Sequence, residues 1–188
     1  GSVTTVSLGP NSNNKFRTTY VRTWFDVEEI SKYASLKVRV IRDDGVVVYL
    51  NGNPVPIVRD RISEEPFVFI TEPHAPAVRL SPYTTLFGSD VNPALLVNGI
   101  NLIVAEVHQT SPTSSDLGFD LELVATRKES PTKYLLPAGS SWVWLDDGSN
   151  QGGPADGIAW YGHLDYNDMA WSGPAPSKFG YGGDGEVT

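Results

Sequence analysis

Apolar and polar residues alternate with a period of two along much of the first two thirds of the chain, the spacing of strands that bury one face. Thr19 to Val27 places Val21, Phe25 and Val27 on one face and Arg22 and Asp26 on the other. Leu36, Val38 and Val40 alternate with Lys37 and Arg39, Asp43-Asp44-Gly45 interrupts, and Val46 to Leu50 ends in Asn51-Gly52. Asp-Gly and Asn-Gly both tolerate positive φ, so this pattern predicts two successive hairpins and a three-stranded antiparallel meander over residues 35 to 58. Asn98-Gly99 then turns the chain into Asn101 to His108, whose centre is apolar on both faces and therefore belongs inside a sheet. Leu117, Phe119, Leu121 and Leu123 face inward against Asp120 and Glu122, the clearest alternation in the chain.

Between these strands, Pro66, Pro73, Pro76, Pro82 and Pro93 exclude a long helix or a central strand. Loop is expected there, with a short edge strand near Phe67 to Thr71 and a helical turn at Pro93 to Val97. No segment carries a 3.6-residue stripe. The predicted fold is all-β, a β-sandwich of two antiparallel sheets packed face to face.

After Arg127-Lys128-Glu129-Ser130-Pro131 the texture changes to Gly, Pro, Asp and aromatic residues, with Trp142, Trp144, Trp160 and Trp171 carrying most of the apolar bulk. A segment of roughly 55 residues with so few aliphatics is short of material for a core of its own. Residues 1–188 therefore read as one β-sandwich domain, with the main strands in 3–127. Residues 138–188 complete the same module or open the next tandem repeat.

Charge narrows the partners. The chain has 14 Lys and Arg against 22 Asp and Glu, a formal charge of −8, and its basic residues are scattered singly, so it lacks the footprint that a phosphate backbone requires. No apolar run is long enough for a membrane-spanning helix, and without cysteine there is no disulfide, thiolate nucleophile or zinc-thiolate site. Gly1-Ser2 reads as a remnant of cloning, which implies a piece of a longer protein.

Four blocks resemble one known family. They are Thr18 to Arg22, the Asp43 to Gly52 run (DDGVVVYLNG), Asn101 to Gln109 (NLIVAEVHQ) and Ser114 to Leu123 (SSDLGFDLEL), in the order of a bacterial jelly-roll module of the galactose-binding-domain-like superfamily. The back segment is similar to the part of that module expected upstream of Thr18: Trp142 to Gly152, Trp171 to Pro176 and Phe179 to Gly182. The order is thus rotated, and joining the end Gly185-Glu186-Val187-Thr188 to the start Val3-Thr4-Thr5-Val6 would restore it. The resemblance implies a non-catalytic accessory module of a large secreted or cell-surface protein, with neighbouring domains or repeats as partners. Terminal strands that complete their own sheet would give a monomer; strands that complete a neighbour's sheet would give a fibre.

Several residue groups carry candidate chemistry. Adjacent carboxylates at Asp43-Asp44 offer hard oxygens for calcium, against the plain reading of a hairpin turn. Asp146, Asp147 and Asn150, in a loop after a Trp-rich strand, are a second calcium candidate, with Asp165, Asp168 or Asp184 as helpers. Glu106 and His108 share a strand face and Asp116 closes the next loop, a set that reads as a hydrogen-bonded network fixing residues 109–116, with His108 made more basic by its neighbours, or as ligand contacts. Trp142, Trp144 and Trp171 are expected in the core. Trp160, Tyr161 and Tyr166 then remain as rings to stack on sugars. No nucleophile is paired with a base, no glycine loop precedes a helix, and His74, His108 and His163 lie in separate segments, so enzyme activity is not expected. Polysaccharide binding is the leading function, a structural or adhesive repeat the alternative, and an enzyme built on Glu106, His108 and Asp116 the third.

Overall fold

The structure is a computed structural model that describes residues 4–62, 87–129, 132–151, 160–162 and 166–181. Among the described residues twelve strands form two six-stranded sheets: β1 (Thr4–Thr5), β2 (Thr18–Val27), β3 (Tyr33–Asp43), β4 (Gly45–Leu50), β5 (Val58–Asp60), β6 (Phe87–Val91), β7 (Gly99–His108), β8 (Leu117–Arg127), β9 (Lys133–Leu136), β10 (Ser141–Leu145), β11 (Ser172–Pro176) and β12 (Phe179–Tyr181). The first sheet runs β1-β12-β8-β3-β6, with β9 also on β8, and the second runs β11-β10-β2-β7-β4-β5. All pairings are antiparallel except β1 with β12. The chain is an all-β sandwich, as its period-two patterning predicts. No helix among the described residues is long and apolar enough to cross a membrane.

The inward residues of each sheet meet in one main core. Val21 and Phe25 of β2, Val46 and Val48 of β4 and Ile103 and Ala105 of β7 face Val38 and Val40 of β3, Leu121 and Leu123 of β8 and Phe179 of β12. Each such Val, Leu or Phe contributes about 1.5–3 kcal/mol by leaving water. Trp142 closes this core against Phe119, with ring centroids 5.5 Å apart and planes at 82°. The back segment supplies strands to both layers: β10 pairs with β2, and β12 with β8.

The expected meander over residues 35 to 58 does not form. β3 lies in the first sheet and β4 in the second, so Asp43-Asp44-Gly45 is a corner where the chain crosses between layers and not a hairpin turn. The physical reason lies in the apolar faces: Leu36, Val38 and Val40 enter the core from one side, and Val46, Val48 and Leu50 enter it from the other. Within the expected meander β4 and β5 do form a hairpin, through Asn51-Gly52, where φ is 51° and 68°. The helical turn expected at Pro93 to Val97 is a 3-10 turn over Pro93–Leu95, and the strand expected near Phe67 to Thr71 lies outside the described residues.

A second apolar cluster sits on the outer face of the second sheet. It contains Tyr20, Val47, Tyr49, Leu102, Val104, Trp160 and Trp171. β4 and β7 are apolar on both faces, so their outward side chains need a cover as much as the inward ones do. Residues 160–162 and 166–171 contribute that cover.

Candidate functional site

The corner between the sheets gathers three aspartates from two distant parts of the sequence. Asp43, Asp44 and Asp116 are 3%, 5% and 3% exposed. Register explains the meeting: β4 and β2 both pair with β7 at His108, as Gly45↔His108 and Thr18↔His108, while Asp43 on β3 pairs with Gly118 on β8. The β7–β8 loop, residues 109–116, therefore returns directly over the corner. Asp44 Oδ2 holds it, accepting from Thr110 N at 2.8 Å and Ser114 Oγ at 3.0 Å. Lys15 braces the far side, donating from Nζ to the carbonyl oxygens of Ser12 and Ser114, while its main-chain N–H bonds Pro112 O at 2.9 Å.

Both carboxylate oxygens of Asp43 are buried with no donor on them. Burial, then the neighbouring Asp116 and Asp44, push the Asp43 carboxyl up to about 8. Gln109 Nε2 donates to Tyr181 Oη, and the Gln109 Oε1 beside it is also buried without a donor. Burial pushes the Tyr181 hydroxyl up, and the field of the same three aspartates adds to it. In front of the corner opens a cavity of about 350 Å³ lined by Asp44, Asp116 and the hydroxyl side chains of Thr110, Ser111, Thr113, Ser114 and Ser115. Its walls offer hydroxyls that both donate and accept, and carboxylates that accept.

Glu106 and His108 do share a face of β7, with His108 Nε2 3.0 Å from Glu106 Oε2 and Nδ1 3.3 Å from Thr18 Oγ1. They lie on the outer face of the second sheet, where Glu106 is directly opposite Tyr20 on one side and Val47 on the other. Two corrections follow. Burial makes His108 less basic, lowering it to about 3, because removal from water penalises the charged imidazolium. The loop over residues 109–116 is tied by Asp44 and Lys15, and Asp116 joins the corner aspartates.

The sugar-stacking role expected of Trp160 is also corrected. Trp160 is 0% exposed, edge-on to Tyr20 with centroids 4.9 Å apart and 6.3 Å from Trp171. Tyr161 lies 5.5 Å from Tyr49, and Tyr166 is 6.1 Å from Trp171 with its hydroxyl donating to Gln151 Oε1 at 2.9 Å, so both are half-buried parts of the same cover. Arg22 lies under it, 3.2 Å from Asp168 and 5.0 Å from the centre of the Tyr166 ring. Of the rings expected in the core, Trp142 and Trp171 are buried and Trp144 is half-buried against Phe179.

The second acidic loop is arranged differently. Asp146 accepts from Ser7 N, Asp147 Oδ1 accepts from Ser149 N at 2.8 Å, and Asn150 Oδ1 accepts from Tyr20 Oη at 3.4 Å. Asp168 is engaged by Arg22, and Asp165 and Asp184 lie outside the described residues. Among the described residues no three His, Asp or Glu side chains form a group that holds a metal ion by themselves. Local spacing could not reveal that Asp43-Asp44 meets Asp116 and Gln109, because the meeting depends on which sheet each strand joins.

No protein-family model matches the chain, and no curated protein matches it. Solved structures do. The α-L-rhamnosidase of Streptomyces avermitilis complexed with L-rhamnose is 19% identical with a TM-score of 0.54, over 87% of this chain and 13% of that one. The α-L-rhamnosidase of Aspergillus terreus is 17% identical with a TM-score of 0.56, over 87% and 19%. That of Dictyoglumus thermophilum is 12% identical with a TM-score of 0.52, over 87% and 18%. At these identities the likeness is one of fold, and the chain spans less than a fifth of each of these proteins.

Proposed function

We propose that this chain is a non-catalytic accessory module of a secreted or cell-surface multidomain protein and that it binds carbohydrate. The observation that carries this reading is the corner cavity. Its volume falls at the lower end of the roughly 300–1,000 Å³ range of small-molecule sites, and its lining is hydroxyl and carboxylate with little apolar surface, the complement of a sugar's ring of hydroxyls. Support comes from the fold, which is shared with short portions of sugar-processing enzymes. A non-catalytic role is favoured by the placement of Glu106 and His108 beneath the outer cover, away from the cavity lining.

The test is calorimetric titration of mono- and oligosaccharides, L-rhamnose included, against the wild-type chain and Asp116→Asn. Saturable binding that weakens about tenfold or more in the variant supports the reading, because a buried acceptor lost from a sugar hydroxyl costs about 1.5–3 kcal/mol. Absence of heat across a broad panel would sink it. Calcium enters this proposal at the corner alone, where Asp43 and Gln109 hold oxygens without donors. A rise in Tm on adding calcium to chelator-treated protein, lost in Asp43→Asn, supports that part; an unchanged Tm removes it.

A second reading, the structural repeat, is favoured by one observation. β1 and β12 pair in parallel at Thr4↔Phe179 and Thr5↔Gly180, so strands from the two ends of the chain lie side by side and are placed for exchange between copies. Concentration-dependent assembly in light scattering tests it.

A further inference from the structure

Among the described residues the outer cover of the second sheet stops short. Tyr20 and Arg22 on β2 and Leu102 and Val104 on β7 are sealed by it, but the next outward residues along the same strands, Trp24 and Ile100, are 51% and 55% exposed. They are neighbours on one face, since Trp24 pairs with Leu102 and Ile100 pairs with Asp26. Leu102 is already buried, so half of the Trp24 surface remains open after the indole has met its cross-strand partner. Trp24 and Ile100 together form an apolar patch on this face, and an indole offers a flat ring on which a ligand can stack.

The edge of β2 at this level is also open. The β10–β2 ladder runs only from Leu145↔Tyr20 to Val143↔Arg22, β10 then reaches Thr23 through the Thr23 hydroxyl donating to Ser141 O at 2.7 Å, and among the described residues Trp24–Val27 have no paired strand on that side. Beside it is a cleft of about 600 Å³ whose lining includes Trp24, Phe25 and Leu136 together with Asp26, Ser140 and Ser141. A half-exposed indole at the mouth of a cleft that also bears a carboxylate and two hydroxyls matches the chemistry of a chain of pyranose rings. Each ring has one C–H face and an equator of hydroxyls.

We infer that this cleft over Trp24 is a second carbohydrate-binding surface, one that takes an oligosaccharide segment, while the smaller corner cavity takes a single sugar. The inference rests on the carbohydrate reading above. It assigns the stacking role to Trp24, in place of Trp160, Tyr161 and Tyr166.

Trp24 is the exposed indole among the chain's five, since Trp142 and Trp160 are 0% and Trp171 8% exposed and Trp144 is half-buried. That difference supplies a probe. Acrylamide quenching and N-bromosuccinimide oxidation, measured on the full chain, are expected to strike Trp24 first, and an oligosaccharide found to bind by titration is expected to protect it. Trp24→Ala is expected to weaken oligosaccharide binding about tenfold, with Trp24→Phe in between, and to leave Tm within about 2 °C because the ring is not in the core. Trp24→Ala with wild-type affinity for every bound oligosaccharide, or a bound oligosaccharide that leaves Trp24 as reactive as before, overturns the inference. If Asp116→Asn abolishes all binding while Trp24→Ala changes none, the cleft fails and the carbohydrate reading stands; if the wild-type chain binds no glycan, both fail.

Discussion

His108 is held neutral by burial, with its imidazole lowered to about 3, so the folded chain refuses a proton that the unfolded chain takes up near 6.5. Its contribution to stability is complete above about pH 6.5 and is lost progressively as pH falls toward about 3. Asp43 acts in the opposite direction. Its carboxyl, raised to about 8 against an ordinary 3.8, keeps its proton in the folded chain through a range where the unfolded chain has released it, and stability falls as pH rises from about 4 to about 8. Burial raises Glu106 as well, which adds to the alkaline loss. The two windows overlap between about pH 4 and 6.5, where the terms oppose each other. Urea unfolding in chelator is therefore expected to show a net loss of stability as pH rises above about 6.5, where the carboxyl terms act without the His108 term. Asp43→Asn should flatten the alkaline limb, and an unchanged slope there would mean that the corner carboxyls do not share a proton. Asp44 has a different part, since its carboxylate anchors Thr110 N and Ser114 Oγ. Asp44→Ala is expected to cost about 2–4 kcal/mol and to speed amide exchange between residues 110 and 114. The acidity of these positions was legible in the sequence, but their shifts were not, because a pKa depends on what surrounds the group and not on its neighbours in the chain.

The β4–β5 turn and the start of β7 are joined by an amide pair. Asn51 donates to Leu95 O at 2.9 Å and Asn101 Oδ1 at 2.8 Å and accepts from Leu102 N at 2.8 Å, while Asn101 accepts from Val97 N at 2.9 Å and donates to Val97 O and Gly99 O, both at 2.8 Å. Every polar atom of the Asn101 side chain is used in a fully buried place. Asn101→Ala, which strands Val97 N and breaks the link to Asn51, is expected to cost about 2–4 kcal/mol in urea unfolding; a loss within about 0.5 kcal/mol would show that the pair is not a structural tie. Gly52 has φ of 68°, and a Cβ there would sit 2.7 Å from Gly162 Cα, so the turn presses directly on the outer cover. The two Asn-Gly pairs were readable as turns, yet Asp-Gly at 44–45 was not a hairpin. A turn signal states that the chain reverses or bends and leaves open which sheet receives it.

Across the whole molecule two apolar layers are stacked on the second sheet, one inside the sandwich and one outside. Trp160 is the centre of the outer layer, touching Tyr20, Tyr161 and Trp171. Trp160→Ala is therefore expected to destabilise the chain by about 3–5 kcal/mol, far more than the near-neutral Trp24→Ala, in chemical denaturation. The reverse ranking would reinstate Trp160 as a surface ring. A hint of the outer layer was present in the sequence, where Leu102 and Val104 alternate with Ile103 and Ala105 without a polar face. That pattern demands a cover on both sides but does not name it.

Period-two alternation determined by itself that this chain makes strands, where the central ones lie and that they pack as a sandwich, because burial of one strand face depends only on spacing along the chain. Which sheet each strand joins, and hence the meeting of Asp43 with Asp116, the burial of Trp160 and the exposure of Trp24, was decided by tertiary structure. Those outcomes follow from how apolar faces far apart in the sequence divide the available cover, and no local pattern contains that division.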